Sequence, residues 1–383
     1  MIDFACRAYF ENQVRLVLQV RSTRHGVAHL TTLPTIETIT GIWQGIFRRP
    51  QIGSQDNFFD LGGDPSLAAQ LFSKIAKVFG RELSPLMIYQ APTIASLAKV
   101  VEQSSPVRIP PLLLLKAGAK AGARTGNAAS PVFITHGIGS SVMDFFELVK
   151  HIETPRPIYG MQARGTDGVD EPLDTIEDMA QFFLDGIKAI QPSGPYLLIG
   201  YSLGGLITLE MAQRLVENGE RVALLALLET YPHRSYLPFG PRFQLSTRLV
   251  RHHASAMMKL PARGVVPYIR GGSEYRWKAS QDPGESEGNN FPGGELSAMA
   301  MLRVSEKAKS ALARYRPRAY GGRIRFVKAA ISLRFPENPR AVWADLLPQL
   351  EVEIVPGTHQ GIVRTEFKSL AAVLSRHLKE ASV

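Results

Sequence analysis

Tyr196-Leu197-Leu198-Ile199-Gly200-Tyr201-Ser202-Leu203-Gly204-Gly205 is the stretch that decides the fold. Its apolar start is too short for a helix and stops at a glycine, so it reads as a buried strand. The residues from Gly205 to Asn218 carry helical spacing. The serine between them belongs to a G-x-S-x-G motif at a strand-to-helix junction, the context in which that motif carries chemistry. Small residues two positions to either side let strand and helix close on each other, and the strained turn presents the hydroxyl at the end of the sheet.

Working outward, the same alternation repeats. Short apolar strands are expected at Leu112–Leu115, Val132–Thr135, Ile158–Gln162, Val222–Leu228, Ile324–Lys328 and Val352–Val355. Amphipathic helices are expected at Val142–His151, Ile176–Ile190 and Leu296–Arg314. Strands separated by helices imply a mostly parallel sheet covered on both faces.

A serine hydroxyl is a weak nucleophile until a base takes its proton. In this architecture the partners follow in the order serine, acid, histidine. The next strand, Val222–Leu228, runs straight into Glu229, and no Asp lies between Ser202 and Asp282, so Glu229 is the candidate acid. His359 lies in Val355-Pro356-Gly357-Thr358-His359, after the final strand, and is the candidate base. His136 precedes the nucleophile and His252 and His253 fall in a basic insert, so they are worse placed. The oxyanion of an acyl-transfer intermediate needs backbone N–H donors. Leu203 supplies one, and the loop Thr135-His136-Gly137-Ile138-Gly139 the other, through Ile138.

The 383 residues suffice for two or three domains, and 45% hydrophobic with 20% charged residues is ordinary globular usage. Residues 1–34 are poorly patterned. Residues 35–103 read as a small helical bundle, with helices at Ile36–Phe47, Pro65–Phe79 and from Pro92-Thr93 through Val101. A linker at 104–110 leads into the strand–helix region at 111–383, whose first strand is followed by a Gly/Ala/Ser-rich loop. No apolar run approaches the length of a membrane span, and the first twenty residues lack an uninterrupted apolar core, so a cytoplasmic protein is expected. One cysteine, Cys6, leaves no internal disulfide, and no Cys/His cluster has metal-ligand spacing. The net charge of +10 is concentrated between Tyr231 and Ser280, where Arg234, Arg242, Arg248, Arg251, Lys259, Arg263, Arg270, Arg276 and Lys278 face Glu274 alone. Such a field attracts phosphate groups or acidic faces, and without a zinc finger or recognition helix it does not indicate nucleic acid.

These motifs carry a resemblance. Residues 111–383, through Gly200-Tyr201-Ser202-Leu203-Gly204-Gly205, Glu229, Gly357-Thr358-His359 and Tyr159-Gly160-Met161-Gln162-Ala163-Arg164-Gly165, resemble the thioesterase domains that end nonribosomal peptide and polyketide synthetases, an α/β-hydrolase family. That family normally has Asp where Glu229 stands, and the resemblance makes residues 232–295 a lid. Residues 35–103 resemble a peptidyl or acyl carrier domain through Asp56-Asn57-Phe58-Phe59-Asp60-Leu61-Gly62-Gly63-Asp64. Such carriers bear 4′-phosphopantetheine on a serine directly after the Asp. Here Pro65 stands in that position, and Ser66 is the candidate attachment site. The resemblance implies release of an acyl or peptidyl chain from a carrier thioester by hydrolysis or cyclisation. The implied partners are upstream synthetase modules and a phosphopantetheinyl transferase. The rival readings are a general carboxylesterase with a vestigial carrier, and a non-catalytic docking module.

Overall fold

The computed structural model describes residues 35–119, 129–259, 295–332 and 335–381. The N-terminal segment 1–34, most of the Gly/Ala/Ser-rich loop and most of the expected lid lie outside the described residues. Pro34–Phe243 and Asn289–Val383 form one compact unit, and Gln244 to Gly288 belong to another with the N-terminal segment. Of that second unit, the described residues are the later turns of a helix, Phe239–Lys259.

The larger unit begins with three helices, Thr35–Phe47, Pro65–Phe79 and Ile94–Glu102, and a 3-10 turn at Pro85–Tyr89. Ile39 and Trp43 on the first helix and Leu71, Phe72 and Ile75 on the second pack around Phe58, all buried. The Asp56-to-Asp64 signature is explained residue by residue. Asn57 Oδ1 accepts from Phe59 N (2.9 Å) and shapes the turn. Phe58 inserts edge-on to Trp43, with ring centroids 5.4 Å apart. Asp64 caps the second helix by accepting from Leu67 N at 2.7 Å. Pro65 occupies the first helical position, where its missing N–H costs nothing, so the fold absorbs the proline.

Seven strands follow: β1 Leu112–Lys116, β2 Val132–Thr135, β3 Ile158–Met161, β4 Tyr196–Tyr201, β5 Val222–Leu228, β6 Ile324–Ala329 and β7 Leu350–Val355. They form one sheet in the order β1-β3-β2-β4-β5-β6-β7. Only the β1–β3 pair is antiparallel. β2 and β4 are buried along their whole length, as strands covered on both faces must be. This matches the expected architecture, a helical carrier bundle followed by a mostly parallel sheet with helices.

Three differences from the sequence expectation have local causes. The helix expected over 142–151 is split into a 3-10 turn, Val142–Phe145, and a short α-helix, Phe146–His151. Ser141 and Asp144 cap the first piece reciprocally, and Gln162 Oε1 takes the Val142 amide at 3.1 Å. The helix Phe239–Lys259 fills a stretch read only as a basic insert. The C-terminal helix Phe367–Glu380 is not assigned from sequence, although Leu370, Leu374 and Leu378 recur at helical spacing and are buried.

Residues 104–110 are held along their length. Arg81 donates to the carbonyl oxygens of Val101 (2.7 Å), Gln103 and Ser105 (3.0 Å). Gln90 reaches Arg108 O, Arg108 pairs with Asp170 (3.3 Å), and Ile109 N donates to Asp167 (3.1 Å). The bundle's apolar cluster runs on through Ile109 and Leu113 into Val142 and Met143. Phe59 bridges outward, 5.0 Å from Tyr89 and 6.0 Å from Phe146 between ring centroids. Among the described residues, no helix is long and apolar enough to cross a membrane.

Candidate active site

The turn after β4 has the geometry that the sequence demands. Ser202 adopts φ 56 and ψ −119, a conformation side chains rarely take, and its N–H donates to Leu228 O at 2.8 Å. Strain of this kind costs about 1–3 kcal/mol and persists only where neighbours over-determine it. Here the neighbours are tight. A Cβ on Gly204 would lie 2.6 Å from His136 O, and one on Gly137 would lie 2.9 Å from Ser202 Cβ. Glycine at both places lets the nucleophile turn and the 135–139 loop approach each other.

Glu229 follows β5, also with positive φ (47), and its N–H donates to Val327 O at 2.8 Å. Its carboxylate is wholly buried. Oε1 accepts from Ala329 N at 2.7 Å, and Oε2 faces His359 Nδ1 at 3.3 Å. On this left-handed backbone the glutamate side chain makes both contacts. The structure therefore brings Glu229 and His359 together across the ends of β5 and β7. It does not hydrogen-bond Ser202 Oγ to His359. Such bonds are often long without substrate and tighten when the reacting carbonyl arrives.

His359 is gripped by groups the sequence reading does not single out. Tyr201 hydroxyl donates to His359 O at 2.8 Å, and the imidazole lies between the Tyr201 ring (5.1 Å) and the Phe335 ring (4.5 Å). Tyr201 was legible as the variable residue before the nucleophile. Phe335 had no sequence signal.

Leu203 is the first residue of the helix Leu203–Glu217, so its N–H has no acceptor within that helix. Ile138 lies in the loop after β2, and its N–H has no hydrogen-bond partner among the described residues. His136, set aside as a base, acts on that loop instead. Nδ1 donates to Gly137 O at 2.9 Å, and Nε2 accepts from Ala163 N at 3.3 Å and from Gln162 Nε2 at 3.2 Å. Burial holds its pKa below the ordinary histidine value, so it is a neutral imidazole whose two nitrogens are both used. Gln162 ties the far end of the loop through Val142 N.

Ser66, the candidate attachment residue, is exposed on the second position of the helix Pro65–Phe79. Its hydroxyl stands at a helix N-terminus, open to solvent and without a side-chain partner among the described residues, where the helix dipole favours an anion. The offset of one residue turns it about 100° around the helix axis but leaves it accessible.

Two parts of the chain resemble known families. Residues 130–239 match the thioesterase domain family, and residues 37–101 match the phosphopantetheine attachment site family. A dimodular nonribosomal peptide synthase of Bacillus subtilis is 38% identical over 205 residues, which is 54% of this chain and 8% of that protein. Indigoidine synthase of Streptomyces lavendulae is 32% identical over 194 residues, 51% of this chain and 15% of that one. The chain thus spans a small part of the length of these relatives. Among solved structures, a four-domain nonribosomal peptide synthetase in its holo form superposes with a TM-score of 0.51 at 21% identity, covering 93% of this chain and 27% of that one. The match to the phosphopantetheine attachment site family, whose members bear that group covalently, comes first in the chain, and the match to the thioesterase domain family comes second, over the sheet-bearing region.

Proposed function

We propose that this chain releases an acyl or peptidyl group from a carrier thioester through an acyl-enzyme on Ser202. The observation that carries this reading is the Glu229–His359 pair, set beside the strained Ser202 turn in a chain that also holds a carrier domain. Phosphopantetheine on Ser66 would supply a thiol, at the end of an arm, that holds the acyl group as a thioester. Glu229 fixes the imidazole with Nδ1–H toward its Oε2, leaving Nε2 as the base. His359 takes the Ser202 proton as the Oγ–C bond forms. The Leu203 and Ile138 amides receive the negative charge that develops on the carbonyl oxygen. His359 then returns the proton to sulfur as the C–S bond breaks. Water, or a nucleophile within the substrate, attacks the acyl carbonyl as its proton passes to His359, and His359 returns that proton to Ser202 Oγ as the Oγ–C bond breaks, ending in hydrolysis or cyclisation respectively. Upstream synthetase modules would supply the acyl group, and a phosphopantetheinyl transferase would modify Ser66.

Intact-protein mass spectrometry tests this over time, with acyl-CoA and a promiscuous phosphopantetheinyl transferase offered to wild type, Ser202→Ala and Ser66→Ala. The expected result is that Ser202→Ala retains an acylated carrier, wild type sheds the acyl group, and Ser66→Ala is never loaded. Retention of the acyl group by wild type as long as by Ser202→Ala would sink the reading.

A further inference from the structure

His359 Nδ1 stands 3.3 Å from Glu229 Oε2, longer than the roughly 2.7–2.9 Å of a strong charge-assisted bond. The terminal torsion of a histidine is broad, so neither the acid nor rotamer preference fixes the plane of this imidazole by itself. Two aromatic side chains lie against it. The Tyr201 ring is 5.1 Å from the imidazole between centroids and tilted by 30°, and the Phe335 ring is 4.5 Å away at 34°. Each ring is backed in turn. Tyr201 meets Phe145 edge-on at 6.5 Å, and Phe335 stacks at 5.2 Å on Tyr231, which meets Phe326 of β6 edge-on at 5.5 Å. Ile331 N donates to Gly357 O at 3.0 Å, which ties the segment carrying Phe335 to the loop carrying His359.

Tyr201 also makes a second connection. It is the last residue of β4, buried, and directly precedes Ser202 in the chain. Its hydroxyl donates to His359 O at 2.8 Å. One side chain therefore spans from the backbone of the candidate nucleophile's turn to the backbone of the candidate base. From this we infer that Tyr201 and Phe335 are positioning residues for His359. The Tyr201 hydroxyl sets the base's loop against the Ser202 turn, and the two rings set the plane of the imidazole. Neither side chain has to touch substrate. A misplacement of about 1 Å between reacting groups costs about 10²-fold in rate, so loss of either support is felt in turnover before it is felt in folding. The inference rests on Ser202 and His359 acting as nucleophile and base.

The test compares wild type, Tyr201→Phe, Phe335→Leu and Glu229→Gln, and the two double variants that add Glu229→Gln, all in the full chain. Two rates are read: labelling of Ser202 by a fluorophosphonate, followed by intact mass, and steady-state hydrolysis of one acyl-pantetheine thioester. Labelling to saturation counts the competent sites, so both rates are expressed per site. Tyr201→Phe should lower the labelling rate and kcat by about ten- to a hundredfold, with KM within about twofold. Phe335→Leu, at a half-buried position, should lower both by about tenfold, and this arm stands even if Tyr201→Phe folds poorly. On the Glu229→Gln background either change should cost less than about threefold, because groups that orient one imidazole act as a unit. A merely structural role would remove labelled sites without slowing those that remain, or would cost the same factor on both backgrounds. Either of those results, or unchanged per-site rates in both single variants, overturns the inference. Slowed labelling in the variants, with no thioester turnover by wild type, would support the positioning role and defeat the thioesterase reading instead.

Discussion

Two helices of this chain begin beside a serine. Ser202 caps the helix Leu203–Glu217, which is buried almost throughout, and its own backbone is held at a positive φ by the Leu228 carbonyl and the close-packed 135–139 loop. Ser66 lies one residue inside the helix Pro65–Phe79, which buries only one face and starts from a relaxed, aspartate-capped turn. A nucleophile must meet a carbonyl, a base and two amides within fractions of an ångström, so its surroundings over-determine it. An attachment point for a long arm needs only to be exposed. If both serines act as proposed, a one-residue shift that would destroy the first site is tolerated at the second.

Substitutions can break this contrast, and the largest effect is expected at Ser202. Ser202→Ala should lower kcat for carrier-thioester release by about 10⁶-fold, with far-ultraviolet circular dichroism unchanged, and should abolish labelling by a fluorophosphonate. Next comes Glu229→Gln, expected to cost about 10⁴-fold in kcat, because an amide can present its N–H to His359 and hold the wrong tautomer. Glu229→Asp sharpens the point. If the positive φ at 229 exists to seat the longer acid, the aspartate variant should lose activity measurably while Gln remains far worse. Steady-state kinetics on one thioester decides both.

A smaller effect is expected in stability. His136 is neutral in the folded protein, with a pKa lowered by burial from its ordinary 6.5. An unfolded chain therefore binds more protons than the folded one once pH falls below about 6.5, and stability declines from there toward acid until the folded-state pKa is reached. The slope reaches about 1.4 kcal/mol per pH unit for one such group. Urea unfolding at pH 7.5 and 5.5 should show the loss, and His136→Gln should flatten the difference while lowering stability at pH 7.5. The smallest effect is at the carrier. Pro65→Ala should change the rate of phosphopantetheine loading, followed by mass, by less than about threefold, since the first helical position tolerates either residue. Loss of loading in that variant would mean that the proline orients Ser66, and the contrast between the two serines would fail.

Much of this was legible in the sequence. The G-x-S-x-G motif at a strand–helix junction announces the strained turn at Ser202, because glycine spacing and strand patterning are local signals. Chain order, which follows the sheet topology, is enough to pick out Glu229 after β5 and His359 after β7, the two side chains that meet in the structure. Position in the chain marks His136 only as a poor base, because its contacts depend on Ala163 and Gln162, which reach it from the end of β3. Phe335 was invisible, since an aromatic ring beside an imidazole is a product of tertiary packing. The apolar spacing over Val142–Phe145 is helical, yet the segment forms a 3-10 turn because the bond from Val142 N to Gln162 comes from a distant strand end.

One feature of the junction between the two domains reaches beyond catalysis. The carrier's apolar cluster includes Val142 and Met143, and the segment that joins the halves is bonded to Arg81 on one side and to Asp167 and Asp170 on the other. Small multidomain proteins usually melt piece by piece. Here neither half can lose its structure without exposing part of the other's interior. The pair should therefore fold as one cooperative unit: heat is expected to melt both halves in one calorimetric peak, and a destabilising change at Trp43 to be felt at Ser202.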